Sequence, residues 1–394
     1  MMWQQTTTRP TAPALSPRLV RTVTALSLFG FIVADGSVAA SDVLSGSAAG
    51  ALSNSADAKG AWLNFAMSDL LDEKAEGILL NARDAELYRA AFEAQDLGQW
   101  EAADAALREI NDKRLMGHIL AQRYLGKGYT TSYDELKSWL DQYADHAEAS
   151  RIHSLALKRR PSTERGRLDS PQAANGVRGG LPAAAVMGSG NYQAWRDGLE
   201  AWKQRDYALA FDQFKQLARN DDANPWDQTA GAFWAARCLV RMGRPSEVSQ
   251  WLKRAAAHPR TFYGLLASRQ LGIDTNLNWS VPDLKGEHLL AISAKPAGNR
   301  ALALIQIGQM DTAEDELRSI HPRRDATLEQ ALIAITSAAS LPGLAMRLGT
   351  AIPGPNGALY DAALYPVPRW EPENGFRVDR ALIFALVRQE SQFN

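Results

Sequence analysis

The sequence predicts an all-α protein whose main body is a right-handed superhelical solenoid of helical hairpins. From Ala61 onward, Ala, Leu, Glu, Gln and Arg dominate, and these residues favour helices. Val, Ile and Thr form no clean alternating run of the kind that strands need. A helix–break–helix pattern also recurs along the chain, and residues 379–394 form a separate amphipathic helical pattern.

The recurring unit is a first helix, a short break and a second helix that ends in an apolar pair. The breaks align at Gly98, Arg205, Gly243 and Gly308, at spacings of 107, 38 and 65 residues. These spacings approximate three, one and two units of about 33–38 residues, the length of a tetratricopeptide-like (TPR-like) hairpin. Each hairpin alone leaves an apolar face exposed, so we expect stacking over 61–360. The alternative is an irregular helical bundle in which the repeated segments resemble one another by chance.

The first forty residues have the layout of a secretory signal peptide. Arginines precede a 12-residue apolar run at 22–33, and small residues suited to cleavage follow at 38–40. The run is shorter than the roughly 20 residues that span a bilayer. We therefore predict a signal peptide at 1–40, a flexible Ser/Ala/Gly-rich start at 41–60 and a periplasmic mature chain without a transmembrane segment. The alternative is a disordered tail.

Composition and motifs exclude several classes of function. The formal net charge of −1 gives no global electrostatic basis for nucleic-acid binding. The only cysteine is Cys238, and the six histidines are scattered, with His146 and His153 about 10 Å apart on a helix. The sequence lacks a phosphate-binding P-loop and a G-x-S-x-G nucleophile motif. We therefore expect no metal site and no cofactor.

Two Pro- and Gly-rich stretches divide the chain. Residues 158–192 lack apolar periodicity, and we predict a disordered loop inside the solenoid. Its first part, 158–180, carries a local charge of +4 and suits an acidic polymer or lipid surface, although a solvated insertion is the simpler interpretation. Residues 352–374 end the solenoid. Asp379 is then a suitable N-cap for the final helix.

The final helix places a carboxyl among apolar residues. At about 100° per residue, Ile383, Leu386, Val387 and Phe393 share one side with Glu390, and Arg388 lies opposite. Desolvation favours the neutral form of a carboxyl, which is the form that a general acid needs. Glu390 is therefore our candidate catalytic residue. The alternative is a structural glutamate paired with an arginine or partly exposed by fraying.

The terminal segment RALIFALVRQESQFN resembles the start of the catalytic domain of soluble lytic murein transglycosylases, which are goose-type-lysozyme-like enzymes. Residues Arg388 to Asn394 match the family's R-Q-E-S-x-F-N signature. The segments at 233–243, 260–272 and 364–370 resemble the same family's superhelical domain and its junction. The resemblance spans about 200–394, and it is weaker back to 61.

The resemblance implies an activity and a domain plan. Glu390 would be the single catalytic acid/base that cleaves the MurNAc-β-1,4-GlcNAc bond of peptidoglycan and forms 1,6-anhydroMurNAc ends. Residues 361–394 would be the junction and first helix of a lysozyme-like α domain. Glycan strands would be the substrate, and cell-wall synthesis or division proteins are possible partners. We expect a monomer that associates at most peripherally with the cell envelope.

The resemblance also implies that the chain is truncated, because the family's later G-L-M-Q-type motif should follow Asn394. We therefore predict that this polypeptide is inactive and that its terminal helix either frays or docks on the solenoid. The alternative function is a non-enzymatic exported repeat protein that binds proteins or glycan strands. The reading frame beyond Asn394 discriminates between the two.

Overall fold

The computed structural model describes residues 67, 69–71, 77–172, 176, 189–352, 354 and 358–393. Every regular element among them is helical, which confirms the all-α prediction. The predicted signal peptide and flexible start lie outside the described residues, as does part of the predicted loop at 158–192. The right-handed superhelical arrangement stays a prediction.

Seventeen α-helices follow one another in the described part of the chain, and a short 3-10 turn at Pro245–Glu247 precedes the ninth. They are α1 (Ala82–Asp96), α2 (Trp100–Glu109), α3 (Met116–Leu125), α4 (Tyr133–Tyr143), α5 (Ala149–Arg159), α6 (Ser189–Lys203), α7 (Tyr207–Arg219), α8 (Pro225–Arg241), α9 (Val248–Ala256), α10 (Phe262–Leu271), α11 (Gly286–Ser293), α12 (Pro296–Ile307), α13 (Met310–Ser319), α14 (Ala326–Ala338), α15 (Pro342–Ala351), α16 (Asp361–Leu364) and α17 (Arg380–Glu390).

The four predicted breaks each separate two helices that pack together as a hairpin: α1 with α2, α6 with α7, α8 with α9, and α12 with α13. The break residues are left-handed, with φ of 69° at Gly98, 62° at Arg205, 68° at Gly243 and 87° at Gly308. Glycine adopts this conformation without a steric penalty. The first helix of each hairpin therefore ends at the break that the sequence predicts.

The hydrophobic core has three parts. One lies within α6–α10 and contains Phe214 and Leu239, and another lies within α3–α5 and includes Trp139. The third joins residues far apart in sequence, such as Tyr88 and Leu302. In this third core α1 packs on α12.

Polar contacts also join α1 and its preceding loop to α12. The Gln306 side chain accepts a hydrogen bond from Leu80 N at 2.7 Å and donates to Leu80 O at 2.9 Å. Arg89 donates to Gln306 O at 3.0 Å. In an open solenoid each repeat contacts only its neighbours. Here the first described hairpin also packs directly against a late one.

Parts of the predicted loop at 158–192 are helical or packed on the rest of the protein. Residues 158–159 end α5, and 189–192 begin α6. Leu168 is buried in the core of α3–α5, and the backbone N–H of Gln172 donates to Ala144 O at 2.8 Å. The disordered-loop prediction is therefore wrong for these residues. Leu168 is one apolar residue in a stretch that lacks apolar periodicity, so the sequence does not predict that it packs in the core.

Asp84 fixes the start of α1 to the segment after α2. Its buried carboxylate accepts backbone N–H groups of Asn111 at 3.1 Å and Asp112 at 2.9 Å, and the Asn81 side-chain amide at 2.9 Å. Burial alone raises the pKa of Asp84, but these hydrogen bonds outweigh it and hold the pKa below its ordinary value of 3.8. The ionised carboxylate therefore stabilises the fold.

We expect Asp84→Ala to lower the free energy of unfolding at pH 7 by about 3 kcal/mol, because it leaves two backbone N–H groups without their acceptor. A depressed folded-state pKa contributes stability that is complete above the unfolded pKa and is lost as pH falls through the folded pKa. The difference from wild type should therefore shrink below pH 3.8. Urea denaturation at several pH values measures this difference in the free energy of unfolding. The control is Glu93→Ala, at an exposed position on α1. A difference that grows in acid would contradict this assignment.

Candidate functional site

The helix that carries the candidate residue, α17, begins where the sequence predicts and is held at both ends. The Asp379 carboxylate accepts the backbone N–H groups of Ala381 at 2.7 Å and Leu382 at 3.3 Å, which confirms the predicted N-cap. After Glu390 the chain turns back, and the Phe393 ring contacts Trp370 at a centroid distance of 5.7 Å. Glu390 is therefore the last residue of a capped helix.

The side of α17 that faces the protein is formed by Phe384 and Arg388. The buried Phe384 ring makes edge contacts with Trp370 and Phe376, both at 5.8 Å. Arg388 Nε donates to Leu364 O at 3.0 Å, and the guanidinium lies 4.5 Å from the ring centre of Tyr365. The helix is therefore not frayed: it docks on residues 364–376 of the predicted junction, and docking on the solenoid itself stays a prediction.

Glu390 itself is exposed, and the prediction that it is buried among Ile383, Leu386, Val387 and Phe393 is wrong for the chain as described. Leu386 is also exposed, and the other three are half-buried. Arg388, which helical periodicity places opposite the apolar stripe, faces the protein instead. The physical reason is aromatic packing: Phe384 lies outside the predicted stripe, yet its contacts set the rotation of the helix.

Leu382, Leu386 and Glu390 are spaced four residues apart and share the outer side of α17. Leu382 is 45% exposed and Leu386 is 37% exposed. Catalytic acids of glycosidases work in sites from which water is largely excluded. The described residues contact α17 on one side only, so they do not form a closed cleft around Glu390.

The junction beneath α17 is anchored by a buried carboxylate. Arg260 makes a two-point ion pair with Asp361 of α16, with N–O distances of 2.6 and 2.8 Å. Asp361 is fully buried and also accepts Asn278 N at 2.8 Å. Helix α16 ends at Leu364, whose carbonyl oxygen accepts the hydrogen bond from Arg388. The ion pair thus fixes the short helix on which α17 rests.

A cluster of titratable side chains is buried between α3, the α4–α5 loop and α13. His118 is completely buried, with Nδ1 at 2.8 Å from a Glu148 oxygen and Nε2 at 3.4 Å from Glu316. The ring of His146 lies 4.7 Å from that of His118, and its Nδ1 is 3.0 Å from Asp145. Burial lowers the pKa of the His146 ring, which favours its neutral form.

Arg300 of α12 completes this cluster. It donates to Glu316 Oε2 at 2.8 and 3.1 Å and to Asp145 Oδ2 at 2.9 Å. Glu316 is fully buried, and its other oxygen accepts Ala147 N at 3.2 Å. The hydrogen bond with His146 and the charge of Arg300 together hold the pKa of Asp145 well below its usual range, against the effect of burial. The cluster joins residues 118–148 to residues 300–316.

Sequence reasoning missed this cluster. The histidines are scattered in the sequence because helix α4 lies between His118 and His146, and Glu316 comes from α13, much later in the chain. No local motif marks such a group. The only available signal was the burial of charged residues on helices that are otherwise apolar, and burial depends on tertiary packing.

No protein-family model matches the chain, and no curated protein or solved structure matches it either. The resemblance of residues 380–394 to lytic transglycosylases therefore stays a prediction. Within the part of the chain that the structure describes, no helix has the length and apolar character that crossing a membrane requires.

We expect Phe384→Ala to release α17 from the protein, because loss of a buried ring costs about 3–5 kcal/mol and an isolated helix of this length is marginal in water. Hydrogen exchange should speed up at least about tenfold in 383–390 and remain unchanged in α12. Leu386→Ala on the exposed side is the control and should leave the exchange nearly unchanged. Equal protection in the Phe384→Ala variant would show that Phe384 does not hold the helix.

Proposed function

We propose that this chain is the helical body and first catalytic helix of an exported peptidoglycan lytic transglycosylase, with Glu390 as its general acid/base. The observation that carries the proposal is the placement of Glu390. It ends a capped helix that matches the family signature, and it projects outward beside Leu382 and Leu386 from an all-helical protein. In this proposal the body is a right-handed superhelix of TPR-like hairpins that holds the site against the glycan.

One carboxyl is sufficient for this chemistry, whereas hydrolytic glycosidases commonly use two. Protonated Glu390 donates its proton to the glycosidic oxygen as the bond from MurNAc C1 to that oxygen breaks. The substrate's acetamido group stabilises the positive charge that develops at C1. The Glu390 carboxylate then takes the proton of the MurNAc 6-hydroxyl while O6 bonds to C1. The glutamate is regenerated, and the product carries a 1,6-anhydro ring.

The exposure of Glu390 limits what residues 41–394 do on their own. This mechanism requires a cleft that positions the sugar on both sides of the scissile bond and excludes water, because water would compete with the 6-hydroxyl. The described residues form only one wall of such a cleft. We therefore expect residues 41–394 to release no anhydromuropeptides from sacculi.

The test is digestion of purified sacculi by the full gene product and, in parallel, by residues 41–394, with mass spectrometry of the soluble products. The proposal expects 1,6-anhydro ends from the full gene product only. Reducing MurNAc ends would instead indicate hydrolysis. Retention of the full product on sacculi with no cleavage would favour the alternative, a non-enzymatic exported protein that binds glycan strands.

A further inference from the structure

The buried cluster around His118 contains three polar atoms of metal-binding type without a hydrogen-bond partner. They are His118 Nε2, His146 Nε2 and Glu148 Oε2. The side chains of His118 and His146 are 0% and 5% exposed. A buried polar atom without a partner is destabilising, and such atoms are rare in native proteins. Three of them in one cluster point to a missing ligand.

The arrangement of the two histidines is the one that metal sites use. His118 Nδ1 is paired with Glu148 at 2.8 Å and His146 Nδ1 with Asp145 at 3.0 Å, which leaves both Nε2 atoms available. A metal-binding histidine nearly always has its other nitrogen on a carboxylate or carbonyl, and this contact orients the ring. The Glu148 carboxylate therefore orients His118 through one oxygen and leaves its unpartnered Oε2 available as a ligand, while Asp145 orients His146.

The third ligand atom is on Glu316. Its Oε1 lies 3.4 Å from His118 Nε2 and does not form a hydrogen bond with it. Two ligands of a tetrahedral Zn²⁺ with bonds of about 2.0–2.1 Å are about 3.4 Å apart. Metal-binding atoms of His118, Glu148 and Glu316 all lie within 4.8 Å of one another. The ring of His146 is adjacent, with its centre 4.7 Å from that of His118.

Charge also favours a cation. The buried part of the cluster contains two carboxylates, Glu148 and Glu316, and one guanidinium, that of Arg300, whereas the Asp145 side chain is 47% exposed. An uncompensated buried charge is costly. A bound cation offsets the excess of buried carboxylate. Mixed imidazole and carboxylate ligands suit Zn²⁺ and its neighbours in the first transition row better than Mg²⁺ or Ca²⁺.

We propose that His118, Glu148 and Glu316 bind one divalent transition-metal ion, with Zn²⁺ preferred, and that the buried ring of His146 lies beside this site. The site lies where residues 118–148 meet residues 300–316, so the ion joins two parts of the chain that are distant in sequence. This proposal is independent of the assignment of Glu390. Metal binding at this site requires neither catalysis by Glu390 nor the presence of peptidoglycan.

The test is a titration of the chelator-treated, dialysed protein with Co²⁺, followed by visible absorption and then by displacement with Zn²⁺. We expect one tightly bound ion per chain, a Co²⁺ spectrum typical of four-coordinate geometry and loss of that spectrum on addition of equimolar Zn²⁺. Wild-type protein that binds neither ion at micromolar concentrations would overturn the proposal. The three unpartnered atoms would then be satisfied by protons and water.

Variants assign the ligands. His118→Gln and Glu316→Gln should each weaken binding by about 100-fold or more, and Glu148→Gln, which replaces a charged ligand and alters the contact with His118, by at least about 10-fold. His153→Gln on α5 is the control and should leave the affinity unchanged. Far-UV circular dichroism checks folding. Full-affinity binding in the folded His118→Gln variant would overturn the site, and so would weakened binding in the control.

Discussion

Glu390→Gln is expected to lower the release of 1,6-anhydromuropeptides by the full gene product by about 10³-fold, which is within the range typical of general acid–base catalysis. The amide is nearly isosteric with the carboxyl, but it neither donates the proton to the leaving oxygen nor accepts one from the 6-hydroxyl. Glu390 is exposed at the end of α17, so the substitution should not alter the stability of the described chain.

The measurement is the initial rate of product release from sacculi, and the matched control is Glu373→Gln. Glu373 is an exposed glutamate in the segment that leads into the same helix, and its replacement should leave the rate unchanged. A Glu390→Gln enzyme that retains more than about a tenth of the rate would exclude Glu390 as the acid. Sacculus binding should persist in the variant, which separates loss of chemistry from loss of substrate.

Asp361→Ala is expected to lower the free energy of unfolding by about 3 kcal/mol, because breaking a buried ion pair leaves its remaining partners unsatisfied. Asp361 is fully buried, and it binds both Arg260 and the backbone N–H of Asn278. Arg260 is 35% exposed and retains access to water, so we expect a loss at the lower end of the usual range.

The same substitution should also loosen α17, because Arg388 is bound to the carbonyl at the end of α16. Thermal denaturation and hydrogen exchange of 383–390 measure the two effects. Glu287→Ala is the control, since its pair with Lys285 at 3.6 Å is a surface ion pair of little energetic value. Unchanged exchange in α17 together with lowered stability would mean that α16 does not position the helix.

Features with local causes were predictable from the sequence. The break at Gly308 was predictable because glycine tolerates the left-handed conformation that ends a helix. The cap at Asp379 was predictable because a side-chain oxygen satisfies the free N–H groups of the first turn. The break at Arg205 was predictable from its alignment with the glycines, and the structure gives it the same conformation at φ 62°.

Features with tertiary causes were not predictable. The rotation of α17 is set by Trp370 and Phe376, and an apolar stripe counted along one helix does not include these partners. The cluster of His118 and Glu316 depends on packing between helices that are far apart in the chain. The burial of Leu168 in an otherwise polar stretch has the same cause. In each case the partner is brought close by the fold and has no signature in the local sequence.

The direct packing of α1 on α12 has a consequence for the order of folding. Leu80 and its hydrogen-bonding partner Gln306 are 226 residues apart, so the first described hairpin lacks part of its core until much later residues have been synthesised. At about 5–20 residues per second, this interval is roughly 11–45 s. Contacts of such long sequence separation also slow folding after synthesis. The early hairpins should therefore remain incompletely folded for tens of seconds, and a chaperone has time to bind them.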